Sequence, residues 1–90
     1  MARAEMRDPA VLRQFITTLQ AFNKELDARS RNLTGHWTSL QQVWRDQQAA
    51  RFAADWDVTM RSIQRYLGES STYVNHLHIK LKQVEDEYNR

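Results

Sequence analysis

Ninety residues, 41% hydrophobic and 27% charged with a net charge of +2, accommodate one small domain. Cysteine is absent, which excludes disulfides and thiolate metal sites, and two glycines with one proline argue against a loop-rich or all-β chain. The mixed-sign charge is not the basic stripe of a nucleic-acid binder, and no apolar run approaches the ~20 residues that a membrane span needs.

The chain opens with "MARAEMRDPAVLRQF", which has no apolar signal core. A cleaved secretory signal is therefore not expected. The expected location is cytoplasmic, with export by a route that reads folded cargo left open. Asp8-Pro9 is a helix start, because the carboxylate can cap free amides and proline is tolerated in the first turn. From there two heptad lanes run forward. One is Leu12, Leu19, Leu26, Leu33 and Leu40; the other is Phe15, Phe22, Arg29, His36 and Val43. They predict a first helix over 8–43 and a turn over 44–46.

The second half repeats the pattern. One lane is Ala53, Met60, Leu67, Val74, Leu81 and Tyr88; the other is Ala49, Trp56, Ile63, Ser70, Leu77 and Val84. Asp46 can cap this helix, and Gln-Gln-Ala-Ala after it are acceptable helix formers. The prediction is a second helix over 47–88. At ~1.5 Å per residue, each helix is about 50–60 Å long. Gly68 is expected to bend or fray the second helix locally, and Gly35 to relax the first.

The two pairs of lanes match if the chain reverses at the turn. With facing residues whose numbers add to 89, Leu12 meets Leu77, Leu19 meets Ser70, Leu26 meets Ile63 and Leu33 meets Trp56. The same register sets Phe15 on Val74, Phe22 on Leu67, Arg29 on Met60 and bulky His36 on small Ala53. The fold class expected is all-α, an antiparallel two-helix hairpin as a single domain over 1–90. One continuous helix is the structural alternative.

A two-helix hairpin encloses little core. Ile16 and Trp37 in the first helix, and Phe52, Tyr66 and Tyr73 in one lane of the second, widen the apolar face beyond one facing helix. Either they lie against the seam as flanking residues, or a second hairpin buries them. The second reading predicts a four-helix bundle, most simply a homodimer, with a heterodimer with a related hairpin as the variant.

Nothing in the chain points to catalysis. It has no glycine-rich phosphate loop, nucleophile elbow or paired-carboxylate site, and no cofactor is implied. His76 and His78 are two apart, so they point in different directions on a helix, and His36 belongs to the other helix. No metal site is expected. The arginines Arg3, Arg7, Arg13, Arg29 and Arg31 spread over more than one helical face, so nucleic acid is not an expected partner. Arg29 at a seam position predicts either a stem lying on the seam with its charge outside or a polar layer that sets register.

One group of residues carries a resemblance. Trp44 stands at the turn, "AARF" follows at Ala49–Phe52, Trp56 lies one turn on, and Tyr88 closes the second helix; "NLTGHW" and "VW" end the first. With the length and the heptads, this pattern resembles the WXG-hundred superfamily of small helical hairpins, associated with type VII (Esx-type) secretion in bacteria. The resemblance covers nearly the whole chain. It implies a non-enzymatic substrate, co-substrate or adaptor of such a system, with Trp44, Arg45 and Asp46 as a variant Trp-Xaa-Gly turn offered to a secretion ATPase or other partner. Two departures are visible. The family's glycine position holds Asp46, which tolerates turn geometry and can cap a helix. The family's export element, a tyrosine followed four residues later by an acid, is not matched: Ser70 follows Tyr66, Leu77 follows Tyr73, and Tyr88 is followed by Asn89 and Arg90. A cytosolic coiled-coil scaffold or assembly subunit unrelated to export is the alternative function.

Overall fold

The computed structural model describes residues 8–89. It consists of two helices, α1 (Pro9–Gln41, 33 residues) and α2 (Gln47–Tyr88, 42 residues). They fold back on each other into a rod of 65 × 23 × 15 Å. Arg3 and Arg7 lie outside the described residues.

Local chemistry accounts for where each helix starts. The Asp8 carboxylate accepts from the Ala10 amide at 2.9 Å, and Pro9 takes the first helical position, where its missing N–H costs nothing. Asp46 repeats the device for α2, accepting from the Ala49 amide at 3.0 Å. α1 closes by tightening: the amides of Val43 and Trp44 both donate to the Leu40 carbonyl at 3.0 Å. No described residue has a positive φ. Asp46 itself is extended, at φ −84° and ψ −173°. An L side chain therefore sits at this turn without strain, so the position has no need of glycine.

Both helices run unbroken through their glycines. A Cβ added at Gly35 or Gly68 would meet nothing within 4 Å. The bend or fraying expected at Gly68 does not interrupt α2, because the i→i−4 ladder does not require a side chain.

The seam uses both predicted lanes of α2. Ala49, Val74, Leu81, Val84 and Ser70 are buried, and Ala53, Trp56, Met60, Ile63, Leu67 and Leu77 are half-buried. Tyr88, at the end of its lane, is exposed. On α1 the structure corrects the prediction. The second seam lane is Ile16, Asn23, Ser30, Trp37 and Trp44, one residue on from the lane expected. Phe15, Phe22 and Val43 are exposed, as are Arg29 and His36. The leucine lane also leaves the seam along its length, from Leu12 at 4% exposure to Leu40 at 44%.

The register moves with the lane. Leu12 and Ile16 pack with Leu81, Leu77 lies against them, and Asn23 hydrogen-bonds Ser70. Leu12 with Leu81 and Asn23 with Ser70 each add to 93, one helical turn from the expected pairing, while Asn23 with Tyr66 and Trp37 with Phe52 add to 89, so residues of the new lane nest between two positions of α2. Thus Ser70 faces Asn23 and not Leu19.

Packing along the rod is in three zones. The open end is aliphatic, around Leu12, Ile16 and Leu81. The middle is polar: Asn23 Nδ2 donates to Ser70 Oγ at 2.6 Å, and the Tyr66 hydroxyl donates to Asn23 Oδ1 at 2.9 Å. The turn end is aromatic. Trp37 stands edge-on to Phe52, with ring centroids 4.7 Å apart, and to Trp44 at 6.2 Å, while Phe52 stacks with Trp56 at 6.3 Å. Such pairs add ~0.5–1.5 kcal/mol each beyond their buried area.

Candidate functional site

The hairpin has two open sides, and they differ in chemistry. On one side Thr34, Thr38, Gln41, Asp57, Arg61 and Gln64 border a broad groove floored by Ala53, Trp56 and Met60. The rim of that side is polar. On the other, α1 contributes Phe15, Phe22, Leu33 and Leu40, and α2 contributes Phe52 and Val58, all exposed. Leu26, Ile63 and Tyr66 fill the spaces between them. Phe22, Leu26, Val58, Ile63 and Tyr66 line an open groove of about 440 Å³ midway along the rod. Leu33, His36, Leu40, Phe52 and Trp56 line a smaller one of about 180 Å³ beside the turn.

This second side follows from the sequence spacing. Phe15, Phe22, Leu33 and Leu40 lie roughly 50–80° around α1 from the seam, and Phe52 and Tyr66 flank the seam on α2. In an antiparallel pair these two flanks emerge on the same side. The edge-on pair of Phe22 with Tyr66, centroids 6.4 Å apart, closes the gap between the helices there.

The residues expected to form a partner face divide into two groups. Phe52 and Tyr73 are exposed, and the Tyr66 ring lines the central groove. Ile16 and Trp37 do not belong with them: at 2% and 7% exposure both lie inside the hairpin's own seam. The lane shift explains this, since the two residues occupy the positions that Phe15 and His36 were expected to fill. Phe15, Phe22, Leu33 and Leu40 are the open-side residues that the sequence reading placed in the seam. Their apolar lane was legible, but the side on which it would face a neighbour was not.

At the turn, Trp44 is half-buried against Trp37, and Arg45 is exposed. Asp46 is the chemical centre of the turn. The hydrogen bond from the Ala49 amide, followed by one from the Trp44 side chain, holds its carboxyl below the ordinary value of 3.8. The same carboxylate caps α2 and lies beside the indole of Trp44. Arg45, Asp46, Ala49 and Ala50 border a shallow groove beside that indole, of about 270 Å³.

Arg13, Arg29 and Arg31 find acidic neighbours. Arg13 pairs with Glu85 across the helices, Arg29 with Glu25 and Arg31 with Asp27 along α1. Arg29 is thus a surface residue and forms no polar layer in the seam. No described helix is long and apolar enough to cross a membrane.

Comparison with protein-family models, with curated proteins and with solved structures finds no match.

Proposed function

We propose that this chain is a non-enzymatic helical hairpin that acts by protein–protein contact. Two copies pack their apolar sides into a four-helix bundle. The bundle serves a type VII-like secretion system as substrate, co-substrate or adaptor, presenting the turn of Trp44, Arg45 and Asp46 to a secretion ATPase.

The observation that carries the dimer is the apolar side itself. It runs from Phe15 to Leu40 on one helix and past Phe52, Val58 and Tyr66 on the other. Arg29, beside this stretch, is already paired with Glu25. The stretch from Phe15 to Leu40, ~38 Å of helix on a rod 23 Å wide, offers roughly 850 Å² of footprint, comparable with the ~800 Å² per partner of a standard stable interface. A second copy suits it because the side is long, straight and apolar, so its own twofold image matches it in shape and chemistry.

The secretion assignment rests on the resemblance: a midpoint tryptophan at the reversal, "AARF", Trp56 and a hairpin of this length. Asp46 in the glycine position, and the missing acid four residues after each tyrosine, favour the second reading, a scaffold subunit unrelated to export.

Light scattering on the eluting protein tests the dimer. The expected mass at micromolar concentration is twice 10.7 kDa. Phe22→Asp with Leu33→Asp should return it to one chain while helicity by circular dichroism persists. A native protein of single-chain mass ends the proposal. For the secretion role, the native chain should capture a type VII secretion ATPase from its own lysate, and Trp44→Ala should lose it. A native dimer that captures no such ATPase leaves the scaffold reading.

A further inference from the structure

α1 presents two competing seams. Both share the leucine lane from Leu12 to Leu26. One adds Phe15, Phe22, Arg29, His36 and Val43, and the other adds Ile16, Asn23, Ser30, Trp37 and Trp44. Towards the open end, apolar area alone favours the first, since Phe15 and Phe22 carry more of it than Ile16 and Asn23. The fold takes the second, and it does so with a polar residue, Asn23, between the helices.

The reason lies in the middle zone. Asn23 reaches across to α2 with both ends of its amide, donating to Ser70 and accepting from Tyr66. Ser70 is 4% exposed. In the displaced seam, with facing numbers adding to 89, Ser70 would sit against Leu19, and Asn23 would turn to solvent. Both cross-helix bonds would be lost, leaving the buried hydroxyl opposite a leucine. A buried polar residue that is satisfied in only one alignment selects that alignment, as asparagines do in coiled coils.

We propose that Asn23, Ser70 and Tyr66 form a register lock, which excludes Phe22 from the hairpin's own seam and keeps it on the side left open to a partner. The lock is a property of the single chain. Its consequence for the interface rests on the dimer reading above.

The native chain has no cysteine, so paired cysteines report the register directly. Ile16→Cys with Leu77→Cys marks the observed seam, where these two residues share one cluster. Phe15→Cys with Val74→Cys marks the displaced one. On mild oxidation with the lock intact, the first pair closes an intramolecular disulfide and the second does not. Asn23→Ala with Ser70→Ala removes both bonds without adding apolar area to the observed seam, and the 15–74 link should then rise about thirtyfold relative to 16–77, as two hydrogen bonds of ~1 kcal/mol imply. If the 16–77 link dominates unchanged while the chain stays helical, the lock is refuted. If the double variant loses its helical circular dichroism, Asn23→Ala is used with the same pairs. A rise in the 15–74 link then supports the lock, and an unchanged pattern refutes it. The link forms within one chain and is read at single-chain mass, so a monomeric native protein would remove the dimer reading and leave this test intact.

Discussion

Trp37 and Trp44 look equivalent in the sequence, seven residues apart and both close to the reversal, yet they carry different loads. Trp37 is buried and touches Phe52 and Trp44; Trp44 is half-buried and leans on Trp37 and Asp46. Trp37→Ala should therefore cost ~3–5 kcal/mol, the range for truncating a large buried aromatic. That is enough to abolish cooperative melting in a hairpin of this size. Trp44→Ala should cost less and show mainly in partner binding, and thermal melts of the two variants side by side make the check. A Trp44→Ala chain that melts as early as Trp37→Ala would mark Trp44 as a core residue. Asp46 gives a second expectation. Its carboxyl is more acidic when folded, so its stabilising contribution is fully present above the ordinary carboxylate value of 3.8 and is lost as pH falls through the lower folded value. Asn accepts the same amide hydrogen bond without ionising. The melting temperature of Asp46→Asn should thus fall less than that of the native chain on acidification from neutral pH to below that window.

The two helices differ in how they keep their seam. α2 holds a strict alternation of three- and four-residue steps from Ala49 to Val84, and every position in it is at least half-buried. α1 steps off its leucine lane near Leu26, and from there Ser30, Thr34 and Trp37 continue the seam. A single apolar stripe on α2 is thus answered by two adjacent stripes on α1, one for the hairpin and one for its open side. The glycines play no part in this division. Gly35 and Gly68 lie in regular helix with open space around them, where glycine costs ~1 kcal/mol relative to alanine. Gly35→Ala and Gly68→Ala should each raise stability by about 0.5–1 kcal/mol in thermal or urea unfolding. A loss at either site would show that close approach of another chain, and not helix propensity, holds the glycine there.

As a whole the molecule is a thin rod with little interior. No described side chain is exposed by less than 2%, and the seam is aliphatic at one end, polar in the middle and aromatic at the other. In the proposed dimer, a rod of this kind would gain stability by burying its apolar side on the second copy. Its melting temperature should then rise with protein concentration, since association stabilises the folded state by mass action. Because the side is apolar, added salt should leave the association intact, whereas an interface held by ion pairs would weaken. A melting temperature independent of concentration would mean that the hairpin stands alone.

Much of this architecture was legible before any coordinates. Asp8-Pro9, Asp46, the scarcity of glycine and proline and the heptads of α2 all act within a few residues of where they stand, so the helices, their starts and the reversal between them could be read from the chain. The facing of α1 could not. Its leucines and phenylalanines mark an apolar surface wide enough for two neighbours, and periodicity does not say which neighbour takes which stripe. The same blindness put Ile16 and Trp37 on an open face and Phe22 and Leu33 in the seam. What settles the assignment is a set of contacts far apart in sequence: Asn23 with Ser70 and Tyr66, and Trp37 with Phe52. Helix formation is governed by local capping and propensity, whereas the face a helix buries depends on the hydrogen bonds and shapes of a partner 15 to 47 residues away, which come together only when the chain has folded back.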